Sequence, residues 1–248
     1  MISDTKPLVS LHGISKAFPG VQALDNVSFD VRRGEVHVLM GENGAGKSTL
    51  MKILSGAYQP DSGSIEIGGQ PVRISDPVAG QQLGIAMIYQ ELTVLENLDV
   101  GRNILLGQEP TRLGQVQWTQ LYDEAARVLD DLHLDIDPRA SLASLAISER
   151  QMVEIARAAH RSPQIMVMDE PTSSLTQSEE ETLFALIERL KQKGVGIIYI
   201  SHRMEEVFRL ADRITVLRDG KHIDTRDAQA YTREQLIEQM VGRKVESL

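Results

Sequence analysis

The chain has 248 residues, 42% hydrophobic and 25% charged, with 19 Gly and 9 Pro, a profile that excludes collagen-like, low-complexity and disordered classes. It contains no cysteine, which removes disulfides, thiol nucleophiles, thiolate zinc sites and iron–sulfur clusters. Lys+Arg of 26 against Asp+Glu of 35 gives a net charge of −9, and aromatic residues make up 4%. Such a field repels polyanions and anionic lipid surfaces, and so few rings do not build a base-stacking platform. A phosphate ligand therefore needs a local site.

The stretch Met1-Ile2-Ser3-Asp4-Thr5-Lys6-Pro7 has no basic region followed by an apolar core, so no secretory signal is read there. No apolar run approaches the ~18–20 residues that span a bilayer, so contact with a membrane is expected to pass through a partner. Short β-rich runs then alternate with helical patterns, the mark of an α/β domain with a largely parallel sheet. Leu8–Leu11, Val27–Val31 and Val36–Met40 read as strands, and Lys47 to Gly56 as a helix ended by its glycine. Pro60-Asp61-Ser62-Gly63 is a turn before the strand Ser64–Ile67, which Gly68-Gly69 closes.

Ile85–Tyr89 is a further strand, while Ile165–Met168, Val195–Ile200 and Ile214–Leu217 are apolar enough to be buried ones. From Glu91 to Arg161 the strands stop. Thr119–Leu132 there places Leu121, Ala125, Val128, Leu129 and Leu132 on one helical face, which marks a helical insertion in the α/β core. Asp219-Gly220 makes a hairpin, and Thr232 caps a last helix through Met240.

The run Gly41-Glu42-Asn43-Gly44-Ala45-Gly46-Lys47-Ser48 follows a predicted strand and opens a predicted helix, the context that a phosphate-binding loop requires. Its glycines let successive N–H groups turn inward, and the helix start adds its positive dipole end. Lys47 is expected to reach the β- and γ-phosphates, Ser48 to offer its hydroxyl to Mg²⁺, and Thr49 to meet an α-phosphate oxygen. Asp169-Glu170 closes the strand Gln164–Met168, and carboxylates at the carboxyl end of a central parallel strand face the same crevice. Asp169 is placed to hold Mg²⁺ through water, and Glu170 to orient or deprotonate the attacking water.

These motifs resemble those of the ATP-binding-cassette ATPases over nearly the whole chain, and the stretches Phe18–Leu24, Ser201–Val207 and Val216–Gly220 look most like the first half of the sugar-import ATPases with two fused cassettes. Gln90, Leu145–Glu149 before Gln151–Ala158, Ser173-Ser174-Leu175 and Ser201-His202 add to the match. The resemblance implies a P-loop NTPase core with an antiparallel β subdomain (about 1–90 and 162–248) and an inserted helical subdomain (about 91–161). It implies ATP and Mg²⁺ as cofactors, Gln90 as the glutamine that couples Mg²⁺ to the helical subdomain, and His202 as the γ-phosphate histidine. Taken alone, a histidine at position 202 is more often a helix cap or a satisfied surface residue. Phe18 matches the family's adenine-stacking aromatic, with a core position as the other reading.

The family's Leu-Ser-Gly-Gly-Gln is replaced by Leu145-Ala146-Ile147-Ser148-Glu149. Ser148-Glu149-Arg150-Gln151 has the form of a capping box, but Glu149 brings negative charge toward a facing γ-phosphate and Ala146 lacks a hydroxyl. Thr176 also stands where the family often has Asp. The chain is therefore expected to donate this motif poorly to a second cassette, the fused carboxyl-terminal half of a longer chain, while its own loop looks catalytic. Val241-Gly242-Arg243 falls where the first half of such a chain hands over to the second.

The implied partners are that cassette, membrane-spanning permease subunits and, indirectly, a periplasmic sugar-binding protein, with the chain peripheral at the cytoplasmic face of the inner membrane. A groove around Glu91–Gly101, with Leu92, Val94, Leu95 and Leu98, is the expected landing place for a membrane-subunit helix. No nucleic-acid partner is expected at this charge. The alternatives are a cassette acting on nucleic acid or in translation, and a nucleotide-binding regulatory half with little turnover.

Overall fold

Pro19-Gly20 turns the chain between β1 (Val9–Phe18) and β2 (Val21–Val31), which pair antiparallel. Val9, Leu11, Ile14, Leu24, Val27, Phe29 and Val31 are buried while the other residues of the two strands are at least partly exposed, as befits a sheet with one face on a core. The computed structural model describes residues 6–173 and 175–242. β3 (Val36–Met40) is buried at all five positions and leads through the glycine-rich loop into α1 (Lys47–Leu54). β4 (Ser62–Ile67) and β5 (Gln70–Val72) complete a four-stranded sheet in the order β2-β1-β4-β5. α2 (Pro77–Gln82) starts on Asp76, whose side chain accepts from Ala79 N, and β6 (Ile85–Ile88) follows.

The next elements are α3 (Val100–Ile104), the short pair β7 (Thr111–Arg112) and β8 (Gln115–Val116), α4 (Trp118–Leu132) and α5 (Ile147–His160). β9 (Ile165–Asp169), α6 (Gln177–Gln192), β10 (Gly196–Ile200), α7 (Met204–Leu210), β11 (Arg213–Arg218), β12 (Lys221–Asp227) and α8 (Arg233–Val241) complete the chain's order. The second sheet runs β12-β11-β3-β10-β9-β6. β11, β3, β10 and β9 are parallel neighbours and β12 is antiparallel to β11.

The described residues form two compact units, one of 6–87, 164–170 and 190–242, the other of 88–163 and 171–189. In the first, α1 residues Leu50, Met51, Ile53 and Leu54 pack with Leu11 and Val27 of the antiparallel sheet and Leu39, Val167 and Ile198 of the mixed one. In the second, α3, α4 and α5 pack on one another. Leu121, Ala125, Leu129 and Leu132 of α4 are buried, and Val128 is half-buried.

Several boundaries differ from the sequence reading. β1 and β2 run far beyond Leu8–Leu11 and Val27–Val31, because Lys16 and Gln22 keep ladder partners in a half of the hairpin that carries no alternating apolar pattern. The strands do not stop after Glu91: β7 and β8 pair through polar, mostly exposed residues that show no period-two signal. Residues 171–189, which the reading placed with the core, fall in the second unit. Their hydrogen bonds explain it, since Gln151 Nε2 donates to Pro171 O and Ser148 Oγ to Glu179 Oε1 at 2.5 Å.

Candidate functional site

The phosphate loop is built by close packing that excludes side chains. A Cβ on Gly41 would lie 2.4 Å from Leu217 O on β11, and one on Gly46 would lie 2.7 Å from Ala23 O. Both have positive φ, 153° and 101°, a region that L side chains rarely adopt. α1 begins on Gly46 with no side-chain cap, so its first N–H groups are left for another acceptor. Gly44 faces open space, Glu42, Asn43 and Ser48 are exposed, Thr49 is half-buried, and Ala45 is buried.

Lys47 folds back over the loop, its Nζ donating to Gly41 O at 2.7 Å and Glu42 O at 3.1 Å. Burial pushes this ammonium below its ordinary pKa, against the pull of Glu170 and Asp169. Asp169 is pushed up by burial and by the charge of Glu170, opposed by Lys47 and Lys52. These three groups therefore sit in one electrostatic neighbourhood, set by loop and strand end together. The donors fit a magnesium nucleotide: a helix start with no side-chain cap and an ammonium for phosphates, and hard oxygen from Ser48 and Asp169 for the ion.

Glu170 stands at φ 48°, just past the strand, with its N–H donating to Ile200 O at 3.0 Å. Its Oε1 lies 3.1 Å from His202 Nδ1. The histidine is presented by a tight polar knot: Tyr199 OH and Ser201 Oγ each donate to Glu206 Oε2 at 2.8 Å, and Arg203 N donates to Ser201 Oγ at 3.0 Å. His202 caps no helix. Glu206, 2% exposed, is a positioning group that the sequence reading missed, since an acidic residue in the first turn of a helix looks like surface charge.

Phe18 is no core residue, being 37% exposed at the end of the first hairpin, with its ring edge-to-face to Tyr58 at 5.4 Å. Lys16 Nζ sits 5.7 Å from the same ring. Tyr58, also missed, carries no motif. Gln90 is exposed, two residues beyond β6, in the second unit.

The altered motif is corrected in its detail. α5 starts at Ile147, and Glu149 Oε2 accepts from Ala146 N at 2.9 Å, so the cap lies two residues earlier than Ser148. Ser148 is buried and bound to Glu179 instead. Glu149 is therefore turned back onto its own helix start. Ser174 and Arg243 lie outside the described residues.

A glycine-rich loop at the carboxyl end of β3, with an acid pair at the carboxyl end of β9, separated from β3 by β10 alone, defines a P-loop fold. The ABC transporter family model matches residues 24–173, and the chain belongs to that family. It is 50% identical over 99% of its length to a ribose/galactose/methyl galactoside import ATP-binding protein of Burkholderia cenocepacia, covering 48% of that protein. It is 48% identical to the ribose import ATP-binding protein RbsA 1 of Rubrobacter xylanophilus, over 97% of this chain and 48% of that one. The chain thus spans about half the length of the curated relatives it matches. A solved nucleotide-free ATP-binding cassette from an ABC transporter superposes with a TM-score of 0.80 at 25% identity, covering 96% of each chain. Among the described residues no helix is long and apolar enough to cross a membrane.

Proposed function

We propose that this chain binds and hydrolyses MgATP in a head-to-tail pair with a second cassette, and so powers import of a monosaccharide through membrane-spanning subunits at the cytoplasmic face of the membrane. The observation that carries the reading is the convergence of Lys47, Asp169, Glu170 and His202 on one loop and strand end of the first unit. In this reading the loop amides and Lys47 hold the phosphates, Phe18 meets the adenine, and Ser48 and Asp169 hold Mg²⁺, which stabilises the charge that develops on phosphoryl transfer. Glu170 takes the proton of the attacking water, His202 stays in contact with Glu170 and the terminal phosphate, and Gln90 assists the ion during turnover. The import role is supported by the relatives' names, and a sugar-binding protein would deliver the cargo.

The test is ATP turnover by the assembled importer, measured with a panel of sugar-loaded binding proteins, together with nucleotide titration. One cognate sugar should stimulate turnover. Lys47→Ala should weaken MgATP binding by about a hundredfold, because a desolvated ammonium facing phosphate is a strong charge-assisted donor. Unchanged affinity in that variant would falsify the reading.

A further inference from the structure

Helix α5 carries a group that the proposed reaction does not use. Among the buried Met152, Val153, Ile155 and Ala156 stands Glu154, 1% exposed, with its Oε2 buried and lacking a hydrogen-bond partner. A carboxylate in such a place is destabilising relative to an apolar group of the same shape. Its other oxygen shows what it holds. Glu154 Oε1 accepts from Thr93 N at 3.1 Å and from Thr93 Oγ1. Arg157, almost one turn further along α5, donates from NH1 to Thr93 O at 3.1 Å and from NH2 to Thr93 Oγ1 at 2.6 Å.

Every polar group of Thr93 is thereby fixed to α5: amide, carbonyl and hydroxyl. The neighbours are fixed too. Arg150 NH1 meets Glu96 Oε1 at 2.5 Å, and the fully buried Asn103 satisfies Leu95 at both N and O, at 2.8 and 3.0 Å. Residues 93–96 belong to no helix or strand, and apart from the turn bond from Leu98 N to Leu95 O at 3.1 Å it is these side chains that hold their path. Arg150 also donates to Leu145 O at 3.0 Å and Ala143 O at 2.9 Å, so one helix holds both the segment after Gln90 and the altered motif.

We propose that Glu154 and Arg157 are positioning residues that act on turnover through Thr93, by fixing the segment that carries Gln90. The inference rests on the part given to Gln90 above. It explains why a buried acid is kept in an apolar helix face: an apolar residue there would fill the space but leave the Thr93 amide and hydroxyl proton without an acceptor and loosen the segment.

The experiment is a double-mutant cycle in the assembled importer. Glu154→Ala should lower kcat by about tenfold with KM for ATP almost unchanged, and Glu154→Gln, which keeps an acceptor oxygen, should restore most of it. In a Gln90→Ala background, Glu154→Ala should cost nothing further. Thr93→Val, which keeps the backbone bonds, should give a smaller loss of the same kind and provides the cycle if Glu154→Ala does not fold. Full multiplication of the Glu154 and Gln90 losses, or a change in KM alone, overturns the proposal. Lys47→Ala serves as the control: if it turns over ATP normally, the proposed function fails and this inference with it, whereas an inactive Lys47→Ala beside an unaffected Glu154→Ala overturns the positioning alone.

Discussion

Glu170→Gln is expected to lower steady-state ATP turnover of the assembled protein by about a thousandfold while MgATP binding stays within about threefold of the wild type. The two side chains have the same shape, so the loop packing and the contact with His202, at 3.1 Å from Oε1, have no steric reason to change. What is lost is the ability to accept a proton. The neighbours change in a foreseeable direction. Burial and the charge of Glu170 both raise the Asp169 carboxyl, and the same charge pulls the Lys47 ammonium up. Removing it eases ionisation of Asp169, which favours Mg²⁺, and takes one counter-charge from Lys47, which leaves the ammonium to the phosphates. A variant trapped with bound ATP is the predicted outcome, read by nucleotide retention beside phosphate release. Wild-type phosphate release from it would remove Glu170 from the base role.

The backbone adds a reason for the position to tolerate so little. Glu170 adopts φ 48°, uncommon for a residue with a side chain, and its amide is committed to Ile200 O. The strain is held by pairing of β9 with β10, where Asp169 sits opposite Ile200. His202, with its side chain 68% exposed, is held far more loosely. Its contact is with the same Glu170 oxygen that the substitution leaves in place.

Much of this was legible because it is carried by local pattern. The loop from Gly41 to Ser48 needs its glycines for reasons visible in the residues themselves, and β3, β9 and β10 are continuous apolar runs whose ends the flanking polar residues mark. What escaped the sequence depends on partners distant along the chain. Ser148-Glu149-Arg150-Gln151 reads as a capping box, but Ser148 has a competing acceptor in Glu179, 31 residues later, and the cap slips back to Ala146. Residues 171–189 follow a core strand in sequence yet belong with α5, because Gln151 and Ser148 bind them. Glu154 looks like one more charge on an amphipathic helix until Thr93, 61 residues earlier, is placed against it. β7 and β8 carry no apolar alternation, so no periodicity could announce them.

The second large effect is expected far from the chemistry. Arg213, at the start of β11, makes a bidentate pair with Asp30, NH1 to Oδ2 at 2.9 Å and NH2 to Oδ1 at 3.0 Å, and reaches Glu35 Oε1 at 3.3 Å. Glu35 also lies 3.3 Å from Nδ1 of the fully buried His37, whose Nε2 meets Thr215 Oγ1 at 2.7 Å. Burial alone would raise both carboxyls, but the Arg213 guanidinium and the His37 ring outweigh it, and both Asp30 and Glu35 end below their ordinary values. Arg213→Ala leaves two acids facing each other without their cation, and is expected to destabilise the fold by about 3 kcal/mol at neutral pH. The figure is at the low end for a buried pair because the Asp30 side chain is 32% exposed and water relieves it.

The sign of the pH dependence follows from the depressed carboxyls. Their stabilisation is complete above the unfolded-state values of about 4 and is lost as pH falls through the lower folded-state values. In Arg213→Ala those folded-state values rise, so the stability gap to wild type should be widest near pH 7 and shrink below about pH 4. Urea unfolding at both pH values reads it directly, and a gap that grows on acidification would mean the cluster is not held by ionised acids. The consequence reaches the loop. β11 runs from Arg213 to the Leu217 carbonyl that packs against Gly41, and β3 from His37 to the loop's first residue. A weakened cluster should therefore loosen the seat of Gly41 and lower nucleotide affinity, without any change in the groups that touch phosphate.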